Sequence, residues 1–416
     1  MTNTDLEEII KKIQEFEAES KKLEPGRDTR LTWENKVQSY AQNFLDEIHD
    51  VKAYIPGGEN DPALQQFGIP DEGRPIEALL ELIDQQVDHY GINPASGAHF
   101  GYIPGGGLYP TALGDYLADV FNRYAGIFYA APGAVKMENL LIRWMADVIG
   151  FPSTALGNLT SGGSIANLIG IVTARDAKGV APNDIANSCI YLAEQVHHSI
   201  HKAIRIAGLE TAQVRQVKMD EHYRMDSADL ALQIERDHKQ GLNPFMVIAS
   251  FGTTDVGAVD PLDEIATICE THKLWLHVDA AYGGFFLLSN EVKNRFRGIE
   301  RADSVSIDPH KGLFLSYGSG AVIIKDVEAT FNTHHYMANY RQDAVADFEE
   351  LSPADLSPEL TRHFRGLRMW LPIQLFGVNP LRACIDEKLW LCHYFYQKIQ
   401  SLGFEVGPEP DLSVCI

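Results

Sequence analysis

The chain has 416 residues, 45% hydrophobic and 22% charged, an ordinary composition for a globular protein. That length exceeds one ordinary core, so a large domain with smaller appendages is expected. A formal net charge of −22 argues against nucleic acid and anionic membrane surfaces as partners, because both are held by clustered Lys and Arg.

The opening, MTNTDLEEIIKKIQEFEAESKK, is a charged amphipathic helix without a secretory apolar core. No stretch reaches the roughly 20 apolar residues of a membrane-spanning helix. Cys189, Cys269, Cys384, Cys392 and Cys415 are scattered without a CxxC pair. Neither a disulfide framework nor a zinc site is indicated, and reduced thiols in a cytoplasmic protein without metal are expected. Residues 1–90 read as helices joined by a loop rich in Gly, Pro and Asp, from Ile55 to Gly73.

From residue 91 to 378 a large α/β domain is expected. Short β-branched and apolar runs alternate there with helical periodicity, the pattern of a mostly parallel sheet. The clearest strands are Cys189–Ala193, Phe245–Ser250, Leu274–Val278, Ser304–Ile307 and Ala321–Ile324, and the helices between them include Ser164–Lys178 and His197–Ala207. Over 379–416 a helix from Pro380 to Leu402 leads into Phe404–Val406 and Leu412–Ile416. These two segments read as the opening strands of a small second domain that the chain leaves unclosed, as a fragment would.

Four features fall at strand ends, where the chemistry of such sheets gathers. Thr160-Ser161-Gly162-Gly163-Ser164-Ile165-Ala166-Asn167 is a glycine-bearing turn opening a helix, suited to a phosphate, though alone it reads sooner as an ordinary capped junction. In His277-Val278-Asp279-Ala280-Ala281-Tyr282 the carboxylate of Asp279 closes an apolar strand. It would be costly there unless it caps a helix or meets a cation such as a protonated pyridine nitrogen. Ser306-Ile307-Asp308-Pro309-His310-Lys311-Gly312 sets Lys311 directly after a buried strand. That is a poor place for a solvated charge and a good one for an imine-forming amine, with His310 beside it. Glu194-Gln195-Val196-His197-His198-Ser199 offers an imidazole that could stack on a flat ring or simply start a helix. A phosphate cradle, a ring stacker, an acid for a pyridine nitrogen and a lysine, in that order, together describe one cofactor, pyridoxal 5′-phosphate.

On these residues the chain resembles the group II pyridoxal-phosphate-dependent decarboxylases, the family of aromatic-L-amino-acid, glutamate and tyrosine decarboxylases. The likeness runs from about Thr32 to Gly377. It includes HFGYIPGGGLYP, TSGGSIAN, AEQVHHS, SFGTTDVGAVDPL, HVDAAYGG, DPHKG and RHFRGLRMW. It implies fold type I, with a mostly parallel seven-stranded sheet flanked by helices. It also implies a homodimer with shared active sites, its N-terminal helices packing on the partner subunit. Carried over by residue, Lys311 is the cofactor-bonding lysine, Asp279 the partner of the pyridine nitrogen, and His197 the stacked imidazole and a catalytic participant. Gly163, Ser164, Thr254 and His310 become phosphate or cofactor contacts, and Ala281 lies beneath the ring. The reaction implied is loss of carbon dioxide from an L-amino acid and return of a proton to Cα, giving the amine.

Two departures stand out. Asp308 occupies a place where many members carry Asn, which puts its phosphate contact in question. Tyr102, Ile103 and Pro104 fall where aromatic decarboxylases line the substrate pocket, and Ile103 replaces an expected ring, so the substrate is aromatic or aliphatic. Phe331 to Pro358 reads as an active-site lid, with Tyr336 and Tyr340 as candidate proton donors. The rivals are a carbon–carbon lyase of the same fold, which would release an aldehyde, and a catalytically silent binding protein.

Overall fold

The computed structural model of the chain describes residues 3–57, 63–293, 295–335 and 350–416. Two compact units divide it, Met1–Tyr102 and Ile103–Ile416. Tyr336 and Tyr340, with half of the expected lid, lie outside the described residues.

In the first unit the main helices span Asn3–Ser20, Arg27–Asp46 and Ile76–Ile83. A short antiparallel pair joins β1 (Tyr54–Ile55) to β2 (Gly91–Ile92). Helices Arg27–Asp46 and Ile76–Ile83 have no fully buried residue. Tyr102 is exposed and stacks on His99 with ring centroids 5.8 Å apart.

The second unit is built on seven strands: β3 (Leu156–Thr160), β4 (Ser188–Ala193), β5 (Gln213–Val217), β6 (Asn243–Ser250), β7 (Trp275–Asp279), β8 (Ser304–Ile307) and β9 (Gly320–Ile324). Their order is β3-β9-β8-β7-β6-β4-β5, and only β9 runs against its neighbours. Every residue of β3, β4, β7, β8 and β9 is buried. That explains why most of them read as unbroken apolar runs: helices cover both faces. On one face Tyr191, Val247, Leu276 and Val305 pack with Leu141 and Ile265. On the other, Leu192, Met246, Ile248 and Val322 pack with Ile169 and Ile200 of helices Gly163–Ala177 and His198–Ile206.

Two strands were missing from the expected set. β3 is LGNLT, whose Gly and Asn break the apolar signal. Glycine is required there, since a Cβ at Gly157 would run into the Val322 carbonyl of β9. β5 is QVRQV, an edge strand whose outer residues are polar.

The expected strands at Phe404–Val406 and Leu412–Ile416 do not form. Helix Val378–Ser401 ends at Leu402, and the described segment beyond it contains no strand. A strand needs a partner edge for its ladder, and these residues find other contacts on the second unit instead. Leu412 is fully buried in the main core. Asp411 accepts from Nε and Nη2 of Arg224, at 3.1 and 2.5 Å, and from the Val259 N–H at 3.0 Å. The Ser413 N–H donates to the Tyr282 hydroxyl at 2.9 Å.

Candidate active site

The parallel strands β3, β4, β6, β7 and β8 end on the same side of the sheet, and a cavity of about 330 Å³ lies beyond those ends. It is lined by Ser161–Ser164 after β3, His197 after β4, Thr253 and Thr254 after β6, Asp279 and Ala281 at β7, and Asp308, His310 and Lys311 after β8. The structure therefore brings together Lys311, His197, Asp279, Gly163, Ser164, Thr254, Ala281 and His310. Ile103, half-buried against the core, and Pro104 do not line the cavity.

Each side chain has a local reason for its place. Gly162 caps helix Gly163–Ala177 without a side-chain acceptor, so the leading N–H groups are left for a ligand. A Cβ at Gly163 would sit 3.1 Å from Asp308 Oδ2 and 3.2 Å from the Ala281 Cβ, tighter than side chains normally pack. His197 caps helix His198–Ile206, its Nδ1 accepting the Ser199 N–H at 3.2 Å. Burial first, and His198 second, hold its imidazole below the usual histidine range.

Asp279 is buried, and its carboxylate already has three donors. Oδ1 accepts from Ser306 Oγ and the Ala281 N–H, both at 3.1 Å, and Oδ2 accepts from Asn167 Nδ2 at 2.9 Å. A carboxylate has about four acceptor sites, so one remains for a ligand N–H. Lys311 Nζ lies 3.3 Å from Asp308 Oδ2, and His310 Nε2 lies 3.8 Å from the same oxygen. His310 Nδ1 donates to the Ser319 carbonyl at 2.5 Å. Asp308 is fully buried, and Oδ1 meets no donor among the described residues. Burial pushes its carboxyl up, against the opposing pull of Lys311 and His310. It stands beside Gly163 and faces the Lys311 amine, so the departure from Asn sets a carboxyl between the helix N-terminus and the lysine.

These observations fit pyridoxal phosphate: an open helix N-terminus for the phosphate, an unfilled acceptor site on Asp279 for a pyridinium N–H, and a lysine on the cavity wall. A model of the pyridoxal-dependent decarboxylase conserved domain matches residues 59–415. The chain belongs to the pyridoxal-dependent decarboxylase family. It is 37% identical over 325 residues to an aromatic-L-amino-acid decarboxylase of Bacillus atrophaeus, covering 78% of this chain and 67% of that one. To cysteine sulfinic acid decarboxylase of Rattus norvegicus it is 34% identical over 363 residues, covering 85% and 73%. The solved structure of mouse CSAD superposes with a TM-score of 0.82 at 29% identity, covering 93% of this chain and 82% of that one. Oryza sativa TDC with PLP and tryptamine shares the fold, with a TM-score of 0.88 at 24% identity over 94% and 83%. The enzyme is thus a fold type I decarboxylase acting on an amino acid with pyridoxal phosphate as cofactor. That decides against the lyase and the silent binding protein.

Four residues of the site were quoted within motifs but given no role: Asn167, Ser199, His277 and Ser306. All are buried and hydrogen-bonded around Asp279 and His197. A legible signal was present in β7, where Trp275, His277 and Asp279 put polar groups at alternate positions of an otherwise apolar strand.

Proposed function

We propose that Lys311 bonds the cofactor through Nζ, that Asp279 holds its ring nitrogen protonated, and that His197 covers the ring and bears on the substrate. Gly163, Ser164, Thr254, Ala281 and His310 complete the binding site. The observation that carries this reading is the convergence of Lys311, Asp279 and His197 on one cavity whose floor is an uncapped helix N-terminus. When bound, pyridoxal phosphate supplies an electron-withdrawing ring that takes up the electron pair left at Cα as carbon dioxide departs. The three donors to Asp279 fix its carboxyl in place and leave one acceptor site open toward the ring N–H. Burial, with His198 beside it, holds the His197 imidazole below the usual histidine range, which favours an uncharged ring face. Lys311 must shed its proton to react, and its Nζ faces Asp308 Oδ2 at 3.3 Å.

We assign the working form as a homodimer in the cytoplasm. Support for the dimer comes from Leu31, Trp33 and Val37, apolar yet 42–47% exposed on helix Arg27–Asp46. Support for a reducing compartment comes from five free cysteines. No described helix is long and apolar enough to cross a membrane. The test is carbon dioxide release from aromatic, acidic and sulfinic L-amino acids by purified protein with added cofactor, beside Lys311→Ala. Release from one class that vanishes in the variant is the expected result and names the substrate. Release that persists in the variant would overturn the assignment of Lys311.

A further inference from the structure

Behind the cavity a row of buried polar side chains runs through the sheet. Trp275 Nε1 donates to Ser304 Oγ at 2.8 Å, and Ser304 Oγ lies 2.8 Å from His277 Nδ1. His277 Nε2 is 3.0 Å from Asn167 Oδ1. Asn167 Nδ2 reaches Asp279 Oδ2 at 2.9 Å and Ser199 Oγ at 3.3 Å, and Ser199 Oγ is 2.7 Å from His197 Nδ1. Trp275, Ser304, His277, Asn167, Ser199 and Asp279 are all buried.

The direction of every bond in this row is set from its two ends. An indole N–H only donates, and an ionised carboxylate only accepts. The Asn167 group facing Asp279 must therefore be its NH₂, which leaves Oδ1 facing His277. His277 must then carry its proton on Nε2. Its ring is fully buried and held neutral, its pKa lowered to about 4, so Nδ1 is bare and takes the Ser304 hydroxyl proton. Ser304 in turn accepts from Trp275. The other Asn167 proton goes to Ser199, whose hydroxyl donates to His197 Nδ1. His197 is left with its proton on Nε2.

Packing holds the ring where this requires. Trp275, His277 and Asp279 lie on one face of β7 by the two-residue period of a strand. Helix Gly163–Ala177 crosses that face with Asn167 and, one turn on, Gly170. A Cβ at Gly170 would sit 2.7 Å from His277 Cε1. Only glycine lets the imidazole lie flat against the helix.

We infer that His277 is a positioning residue, which locks the Asn167 amide and thereby fixes both the Asp279 carboxylate and the His197 tautomer. It touches neither cofactor nor substrate and acts through Asn167. The inference rests on the roles given above to Asp279 and His197.

The test compares His277→Gln with His277→Leu in the holoenzyme. Glutamine can still donate to Asn167 Oδ1 and accept from Ser304, and leucine can do neither. His277→Leu is expected to lose roughly 10- to 100-fold in kcat, the scale of a displaced reacting group, with KM within about twofold of wild type. The pH midpoint of the cofactor's visible absorbance band is expected to move with it. His277→Gln should keep most of kcat and the wild-type midpoint. Equal behaviour of the two variants would overturn the proposal. Should His277→Leu not fold, Trp275→Phe keeps an aromatic ring and removes only the first donor. It should move kcat and the midpoint the same way by less, and no movement in either would refute the relay. The ¹⁵N shifts of the His277 ring in the unliganded protein provide an independent reading. A proton on Nδ1 would overturn the relay even where the assigned roles of Asp279 and His197 hold. Failure of the wild type to take up cofactor or release carbon dioxide would instead sink those roles.

Discussion

Replacing Asp279 by Asn separates the two jobs of that carboxylate. The amide keeps the size of the side chain, and its oxygen can serve Ser306 Oγ and the Ala281 N–H at the 3.1 Å positions. The new NH₂ group must then face the Asn167 NH₂ at the 2.9 Å position, a donor against a donor. Unpaired buried donors cost about 1–3 kcal/mol, which at roughly 2–4 °C per kcal/mol lowers Tm by several degrees. Catalysis should suffer more. Losing the partner of a buried charge costs about 2–5 kcal/mol, and each 1.36 kcal/mol is tenfold in rate, so kcat should fall by about 30-fold to several thousandfold. The assay is carbon dioxide release at saturating cofactor, with occupancy checked by absorbance and a parallel thermal melt. A fully loaded variant retaining kcat within about threefold would refute the assignment of Asp279 to the ring nitrogen. A rate loss with an unchanged melt would refute the hydrogen-bond accounting around it.

Other outcomes follow from the same geometry. His277 and His334 are neutral in the fold, each lowered to about 4 from 6.5 by burial. Between those values the unfolded chain binds more protons than the folded one, so stability falls as pH drops through that window. The loss reaches at most about 3 kcal/mol per histidine at the acid end and is read by urea melts at stepped pH. Leu412→Ala, at a fully buried core position, should cost about 2–5 kcal/mol. A negligible change in the denaturation midpoint would mean that the 402–416 segment is not docked. Glu138 pairs with buried Arg362 at 2.8 Å and accepts the Arg365 and Gly366 N–H groups at 3.0 Å. Glu138→Leu should destabilise by about 3–5 kcal/mol, since Arg362 loses its direct counter-charge; a calorimetric scan decides it. His197→Gln should lower kcat strongly and stability only by the roughly 0.5–2 kcal/mol of a lost helix cap, since its Nδ1 accepts the Ser199 N–H. In the wild type the acid limb of kcat/KM should lie below the ordinary histidine value of about 6.5, and a limb above it would contradict the burial of this ring.

Much of this architecture was legible because buried parallel strands announce themselves as apolar runs. β4, β6, β7, β8 and β9 were found to within one or two residues. β3 and β5 were not, for opposite reasons: Gly157 serves a close approach to Val322 that no local pattern encodes, and β5 has an edge strand's polar alternation. The grouping of Lys311, Asp279 and His197 on one cavity was legible because each sits at a strand end in a setting that charge or shape makes unusual. Asn167 stayed silent, and the polar alternation that marks His277 in β7 carried no role by itself, since a buried polar residue gains meaning only from its partners, and those come from β8 and from another helix. The 402–416 segment misled for a related reason. Its alternating residues suit a strand, yet Asp411 and Leu412 are claimed by Arg224 and the core instead.

The cavity wall draws on the ends of β3, β4, β6, β7 and β8, from Ser161 to Lys311. Contacts so distant along the chain close late, because loop entropy is spent before they reward it. Cofactor uptake then becomes a checkpoint on assembly. A chain with any one strand out of register offers an incomplete seat, while a correctly registered chain gains the ligand's mass-action stabilisation and is drawn out of the pool exposed to aggregation and proteolysis. For this enzyme, cofactor supply during synthesis should set the yield of folded protein as well as its activity.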